Sequence, residues 1–402
     1  MLNAYLYAGL RTPFGKNAGG LAPVRPDDLL AYTFKALIEQ TGVDAKTLDD
    51  VIVGCANQAG EDSRCVARHA VLLAGLPVEL GGTVVQRNCG SGLGALISAA
   101  HAITVGEGEM MLSGGVESMS RSAFVMAKAD KPYSRDMRVF DSAVGARFPN
   151  PKIEKEFGAD SMPQTADNLA QQYELSREAV DAFAKASQDK YQAALEAGFF
   201  KDEIVPVTIQ AKGAKEPTVV ARDEFPRATT MEALGKLPAI HQGGVTTAGN
   251  ASGLNDGAVA LLVGSQAAGE RAGLKPMARI VSSAVVGVEP RIMGIGPVPA
   301  IQKALERAGL TLEQMDVIEI NEAFAAQALA CTRALKLRDD DPRVNPNGGA
   351  VALGHPLGAS GARLALTAAR QLERTQGRYA VVSMCIGVGQ GIAVVLENCA
   401  SR

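Results

Sequence analysis

Short runs of aliphatic and β-branched residues recur along the chain: VIVG (51–54), TVV (83–85), MMLSGGV (110–116), AVALLVG (258–264), VIEI (317–320) and AVVSMCI (380–386). Continuous apolar runs of this length read as strands buried on both faces. Between them lie Ala/Leu-rich stretches of helical length, such as LGALISAAHAI (93–103) and LALTAARQL (364–372). Strand, small-residue turn and helix in repeated order predict α/β halves built on parallel sheets. In such sheets functional groups gather in the loops that leave the carboxyl ends of strands.

The pattern occurs twice. LDDVIVGCANQ (48–58) has a counterpart in MDVIEINEAFA (315–325), and TVVQRNCGSGLGALISAAHAI (83–103) is answered by RVNPNGGAVALGHPLGASGARLALTAARQL (343–372). EMMLSGGVESMS (109–120) matches YAVVSMCIGVGQG (379–391) as a buried strand ending in a glycine loop. Asp50 to Asp316 and Cys89 to His355 are both offsets of 266, which favours a duplicated half. The middle of the chain is richer in charge, proline and methionine, and reads as an inserted lid-like loop domain. Its clearest helix, 176–198, is opened by Ser176 and stopped by Gly198. GNASGLNDGAVALLVGS (249–265) is expected to return to a helix and then the last strand of the first half. The expected division is 1–120 with 249–270, an insert at 121–248, and 271–402.

Length and composition limit what such a chain can be. At 402 residues it is too long for one core, and 47% hydrophobic residues suffice for more than one. A formal net charge of -3 gives no electrostatic case for nucleic acid or a membrane surface as partner. The first sixteen residues read as a strand running into a loop, without the pattern of a secretory signal. No apolar run reaches the length of a membrane span. The six cysteines show no CxxC spacing, so neither a metal knuckle nor a disulfide framework is expected, and the setting is expected to be cytoplasmic and reduced.

Cys89 lies between a strand end and a helix start, followed by Gly-Ser-Gly. Unpaired backbone N–H groups there would lower its pKa and favour a nucleophilic thiolate. A buried cysteine beside a tight turn fits the same segment. His355, with Pro356 in the first helical turn, could act as a neutral base toward a thiol. His69, His101 and His241 occupy ordinary contexts. Cys385 again follows an apolar run and precedes glycines, which suits a second thiol carrying protons. Asn321 either caps the following helix or donates to an oxyanion, and GGVESM (114–119) reads as a tight strand exit. Together these groups make a set for acyl transfer through a thioester. There is no P-loop and no dinucleotide fingerprint.

Along its whole length the sequence resembles the thiolase family. RTPFGK (11–16), CGSG at Cys89, GGVESMSR (114–121), TAGNASGLNDGA (247–258), NEAFAAQ (321–327), NPNGGAVALGHPLGASGAR (345–363) and CIGVGQG (385–391) fall in family order. The resemblance implies two duplicated α/β halves layered α-β-α-β-α, an inserted loop domain, and a homo-oligomer, dimer or dimer of dimers. It implies condensation or cleavage of 3-oxoacyl-CoA, with coenzyme A and acyl-CoA as substrates and no permanently bound cofactor. It assigns Cys89 as acylated nucleophile, His355 as its activator and an oxyanion donor, Asn321 as holder of a water, and Cys385 as carrier of the α-proton. The N–H groups of Cys89 and Gly387 would form a second oxyanion hole. Coenzyme A contacts would come from Arg227, Ala248, Ser252, Ala323 and Phe324.

Segments 54–77, 123–135, 159–168 and 294–299 resemble the branch acting on 3-oxoadipyl-CoA. Ser161 stands where short-chain biosynthetic members carry a histidine. Asn88 before the nucleophile and GARF (145–148) instead of GWRF depart from the pattern. A dicarboxylic acyl chain needs a cationic anchor, for which Arg64, Arg121, Arg135 and Arg147 are candidates and Arg147 the first choice. The readings that compete are an acetyl-CoA C-acetyltransferase, a broad-chain 3-ketoacyl-CoA thiolase and a non-catalytic acyl-CoA carrier.

Overall fold

The computed structural model describes residues 2–57, 60–61, 63–210, 213 and 215–399. Both halves build their sheets in the same order. In the first, Thr83–Val85, Asp50–Gly54, Met110–Ser118, Asn255–Gly264 and Ala4–Arg11 lie side by side. In the second, Val317–Ile320, Tyr379–Ile386, Gln390–Asn398 and Ala278–Gly287 repeat that order from the second strand on. The missing counterpart of Thr83–Val85 shrinks to one parallel bridge between Ile318 and Val344. The half-sheets meet edge to edge where Ala4–Leu6 pairs with Ala278–Ile280, giving one ten-stranded sheet.

Directions are mixed rather than parallel, which corrects the expectation from sequence. Asp50–Gly54 runs parallel to Met110–Ser118, but Asn255–Gly264 returns antiparallel to it. Likewise Val317–Ile320 is parallel to Tyr379–Ile386, which is antiparallel to Gln390–Asn398. The cause is plain in the second half. The turn between Ile386 and Gln390 is too short for a crossover, so the strand must fold straight back.

The repeat also needs a one-residue correction. Asp316 Oδ2 accepts the N–H groups of Arg378 (2.6 Å) and Tyr379 (3.0 Å). Asp49, not Asp50, does the same for Glu109 (2.6 Å) and Met110 (3.1 Å). The carboxylate has to sit just before its strand to reach two amides on the neighbour, and Asp50 is already inside the strand. The offset of 266 holds at the helix starts, where Gly90 and Pro356 precede Ser91–Val105 and Leu357–Thr375.

Alternation along the strands sorts the core into layers. Val259, Leu261 and Val263 face a central core with Leu93, Leu96, Leu364 and Leu366 of those two helices. Ala258, Ala260 and Leu262 face the other way, onto helices Pro26–Thr41 and Val66–Leu73. In the second half Ile392, Val394 and Leu396 share the central core. Ala393 and Val395 back onto helix Pro297–Ala308. Helix, sheet, helix pair, sheet and helix therefore stack in turn.

The central helices approach the strands main chain to main chain. A Cβ on Gly115 would lie 1.8 Å from the carbonyl oxygen of Gly358, and one on Gly92 would lie 2.4 Å from the same atom. Only glycine fits there. Of GGVESM (114–119), Gly114 to Ser118 are the last five residues of strand Met110–Ser118 and Met119 lies at its exit.

Between the halves, the segment 121–248 carries two hairpins and the helices Pro151–Phe157, Met162–Gln172, Arg177–Glu196 and Met231–Gly235. Ser176 caps the longest by accepting from the N–H of Ala179 at 3.2 Å, and Gly198 follows its end at φ 70°. Residues 249–254 form no helix, contrary to expectation, because Asn250 binds back on its own loop through Thr247 N–H (2.7 Å) and Val245 carbonyl (3.0 Å). Strand Asn255–Gly264 then sits inside the sheet rather than at its edge.

Candidate active site

Cys89 follows Asn88, which takes φ 45°, and precedes helix Ser91–Val105. The turn closes on itself: Ser91 Oγ donates to the Asn88 carbonyl (2.6 Å) and accepts from Arg87 N–H (2.9 Å). The Cys89 sulfur faces two backbone donors, its own N–H and that of Gly387. Burial pushes the thiol up to about 11, against the pull of those donors, and the Glu117 carboxylate adds to the rise. The expected lowering at a helix start is overridden because desolvation outweighs the backbone dipoles. Cys385, 1% exposed on strand Tyr379–Ile386, is raised well above the ordinary thiol range by burial first and then by Cys89 and Cys331.

His355 is held from three sides. Its N–H donates to Asn255 Oδ1 (2.8 Å), Nδ1 lies 2.6 Å from Ser360 Oγ, and Nε2 lies 3.4 Å from Asn321 Nδ2. Ser360 Oγ donates its proton to the Pro356 carbonyl at 2.9 Å. That leaves the hydroxyl an acceptor toward the ring, so Nδ1 carries the hydrogen and Nε2 the lone pair. Burial, and then the charge of Arg363, lower the imidazole to about 3, so it is neutral at physiological pH.

Asn321 does not cap a helix. Helix Ala325–Ala334 begins after Phe324, and Asn321 instead donates its N–H to the Ser383 carbonyl at 2.9 Å. Its Oδ1 is buried and accepts no hydrogen bond among the described residues, so it can accept one from a water or a ligand donor. Cys89, Cys385 and Gly387 thus form one cluster, and His355 with Asn321 another. The helices that follow Cys89 and His355 touch at Gly92 and Gly358.

The expected coenzyme A residues form one wall. Ser252 donates both N–H (3.0 Å) and Oγ (2.9 Å) to the Ala323 carbonyl, and Ala251 bridges to Phe324. Arg227 Nη2 donates to the Ala248 carbonyl at 3.2 Å while its guanidinium lies 4.8 Å from the Phe225 ring centroid. Among the arginine candidates, Arg121 is already paired with Glu61, and Arg147 donates to the Ser142 carbonyl of its own loop at 2.7 Å.

Sequence reading passed over the supports. Glu117 accepts the N–H groups of Ala56 (3.0 Å), Asn57 (3.1 Å) and Gly358 (2.9 Å), pinning the histidine helix to the first half. Glu322 accepts from Ser187 Oγ (2.7 Å), Asn345 Nδ2 (2.7 Å) and Val351 N–H (3.1 Å). Ser360 sets the ring, and Asn255 holds the main chain of His355. The signal was present: an acidic residue at the end of an apolar strand, and a hydroxyl one helical turn beyond the His-Pro pair. Among the described residues no group of three or more His, Cys, Asp or Glu could hold a metal, and no helix is long and apolar enough to cross a membrane.

Models of the thiolase N-terminal and C-terminal domains match residues 5–267 and 274–398. The chain belongs to the thiolase family. It is 58% identical over 402 residues to a beta-ketoadipyl-CoA thiolase of Acinetobacter baylyi, covering 99% of this chain and 100% of that one. It is 54% identical over 401 residues to a 3-oxoadipyl-CoA/3-oxo-5,6-dehydrosuberyl-CoA thiolase of Escherichia coli, with 99% and 100% coverage. Human mitochondrial 3-ketoacyl-CoA thiolase in complex with CoA superimposes with a TM-score of 0.90 at 40% identity, over 99% of this chain and 98% of that chain.

Proposed function

We propose that this thiolase cleaves 3-oxoadipyl-CoA with coenzyme A to succinyl-CoA and acetyl-CoA, through an acyl-enzyme on Cys89. The observation that carries the chemistry is the Cys89 sulfur set against two backbone N–H groups, its own and that of Gly387 from the other half, before a helix that touches the helix following a neutral, tautomer-fixed His355. The assignment of substrate rests on the names of the relatives above.

His355 Nε2 takes the Cys89 proton, and the thiolate adds to the C3 carbonyl of the substrate. The C2–C3 bond breaks, its electron pair passing into the acetyl-CoA enolate, and Cys385 delivers a proton to that carbon. The acyl carbonyl oxygen of the thioester points at the N–H groups of Cys89 and Gly387. The enolate oxygen is met by protonated His355 and a water on Asn321 Oδ1. Coenzyme A gives its thiol proton to Cys385, attacks the thioester, and releases succinyl-CoA with the Cys89 thiolate, which regains its proton from His355.

Arg227, Ala248, Ser252, Ala323 and Phe324 line the coenzyme path. Residues 1–120 with 249–270 and 271–402 act as the two halves of the catalyst, with 121–248 over them, in the cytoplasm. Exposed apolar side chains in the insert, Phe124 at 76%, Tyr133 at 101% and Met137 at 71%, support a homo-oligomer; light scattering of the purified protein reads its size. The substrate is tested by loss of enolate absorbance with coenzyme A present. Faster thiolysis of 3-oxoadipyl-CoA than of acetoacetyl-CoA is expected, and the reverse order overturns the assignment. An unchanged kcat/KM ratio for these two substrates in Arg147→Ala would remove Arg147 as the carboxylate anchor.

A further inference from the structure

Asn88 has no part in the steps above, yet it touches both parts of the thioester site. Its main chain belongs to the nucleophile turn, where its carbonyl accepts from Ser91 N–H at 3.1 Å and Ser91 Oγ at 2.6 Å. Its side chain crosses to the other half: Nδ2 donates to the Gly387 carbonyl at 3.3 Å. The amide is oriented by Gln86, whose Nε2 lies 3.3 Å from Asn88 Oδ1 and 3.2 Å from the Ala56 carbonyl.

The turn that receives this bond is strained. Val388 sits at φ 71°, a region β-branched residues avoid, and its side chain is 63% exposed, so packing does not hold it there. The turn is closed by Gly389 N–H donating to the Ile386 carbonyl at 3.2 Å, and Asn88 adds a second tie at the carbonyl of the Gly387–Val388 peptide. Rotation of this peptide would relieve Val388 and shift Gly387, whose N–H faces the Cys89 sulfur.

We propose that Asn88 is a positioning residue whose side-chain amide clamps the Gly387–Val388 peptide and so keeps the Gly387 N–H aimed at Cys89. The clamp and the nucleophile are consecutive residues. The two donors of the thioester hole, one from each half, are thereby held in fixed relation through a single side chain. This inference rests on the reading of Cys89 and Gly387 given above. The alternative is that asparagine is present only because it tolerates φ 45°.

Asn88→Gly separates the two explanations, since glycine accepts that angle and has no amide. With 3-oxoadipyl-CoA and coenzyme A, kcat falls about tenfold, a fraction of the cost of losing an oxyanion donor outright. KM stays within about twofold, since ground-state binding does not use the donor. The pH midpoint for alkylation of Cys89 by iodoacetamide moves upward, because the thiolate loses a backbone donor. Glu117 and Cys385, which interact electrostatically with the thiol, and His355, its proton acceptor in the proposed mechanism, are not touched by the change. Gln86→Ala, which leaves the nucleophile turn intact, shifts both readouts in the same direction by about half as much on a logarithmic scale, and it decides the question if Asn88→Gly melts early. Wild-type kcat and an unmoved alkylation profile in Asn88→Gly overturn the clamp, as does a change confined to KM. Cys89→Ala run in parallel keeps the two ideas apart. Turnover surviving that change overturns the site itself, whereas its loss beside a normal Asn88→Gly overturns only the clamp.

Discussion

The two halves of the molecule use one backbone plan for opposite ends. Each places a reactive side chain just before a central helix, Cys89 before Ser91–Val105 and His355 before Leu357–Thr375. The surroundings then diverge. His355 is 4% exposed and bound through its N–H, Nδ1 and Nε2. Cys89 is partly exposed and held by its main chain, with two backbone N–H groups at its sulfur. A base benefits from one tautomer in one orientation. A nucleophile that becomes acylated needs room, and fixed dipoles where charge develops. Duplication supplied the geometry, and the local hydrogen bonds divided the labour.

Removing either reactive group should break the pairing most severely. Cys89→Ala is expected to lower kcat by on the order of 10⁴-fold or more and to leave no acyl-enzyme detectable by intact-mass spectrometry. His355→Ala is expected to cost about 10³-fold while leaving the fold melting normally. If both substitutions had mild effects, the halves would not be divided as nucleophile and base.

Ser360→Ala sharpens the comparison from the histidine side. Without the acceptor at Nδ1 the tautomer is free, and kcat should fall about ten- to a hundredfold with little change in KM. Glu117→Gln tests the joint between halves. An amide cannot accept three N–H bonds as a carboxylate does, so unfolding free energy should drop by about 2 kcal/mol in a urea titration.

The last expectation concerns pH. The folded-state imidazole of His355 is lowered to about 3 from an ordinary 6.5, so between those values the unfolded chain binds the extra proton. Stability from this group is present above pH 6.5 and is lost progressively as pH falls toward 3. His355→Asn should flatten that part of the stability–pH curve. Cys89 behaves oppositely to an ion-paired thiolate: its alkylation rate should keep climbing toward the alkaline value near 11 rather than level off at neutral pH.

Much of this was legible in the residues. Apolar runs and Gly-rich turns located the strands and both central helices, and the repeat placed Cys89 opposite His355. Strand direction was not legible, because a buried strand has the same composition whichever way it runs, as Asn255–Gly264 illustrates. Charge state was not legible either. A helix start argues for a low thiol pKa, but burial by residues distant in sequence decides it. The support shell escaped for a related reason. Glu117 looks like any polar residue after Gly-Gly-Val until the N–H of Gly358 arrives, 241 residues later in the chain.

The seam where Gly115 and Gly92 meet the Gly358 carbonyl also limits how the enzyme can be altered. Nothing there can be trimmed or exchanged, since the contact contains no side chains. Directed changes of acyl-chain preference will have to come from loops and the insert, such as Asn88, Ser161 and GARF (145–148). A library that varies those positions and leaves the three glycines 92, 115 and 358 untouched would keep most of its members folded, whereas one centred on the seam would lose them.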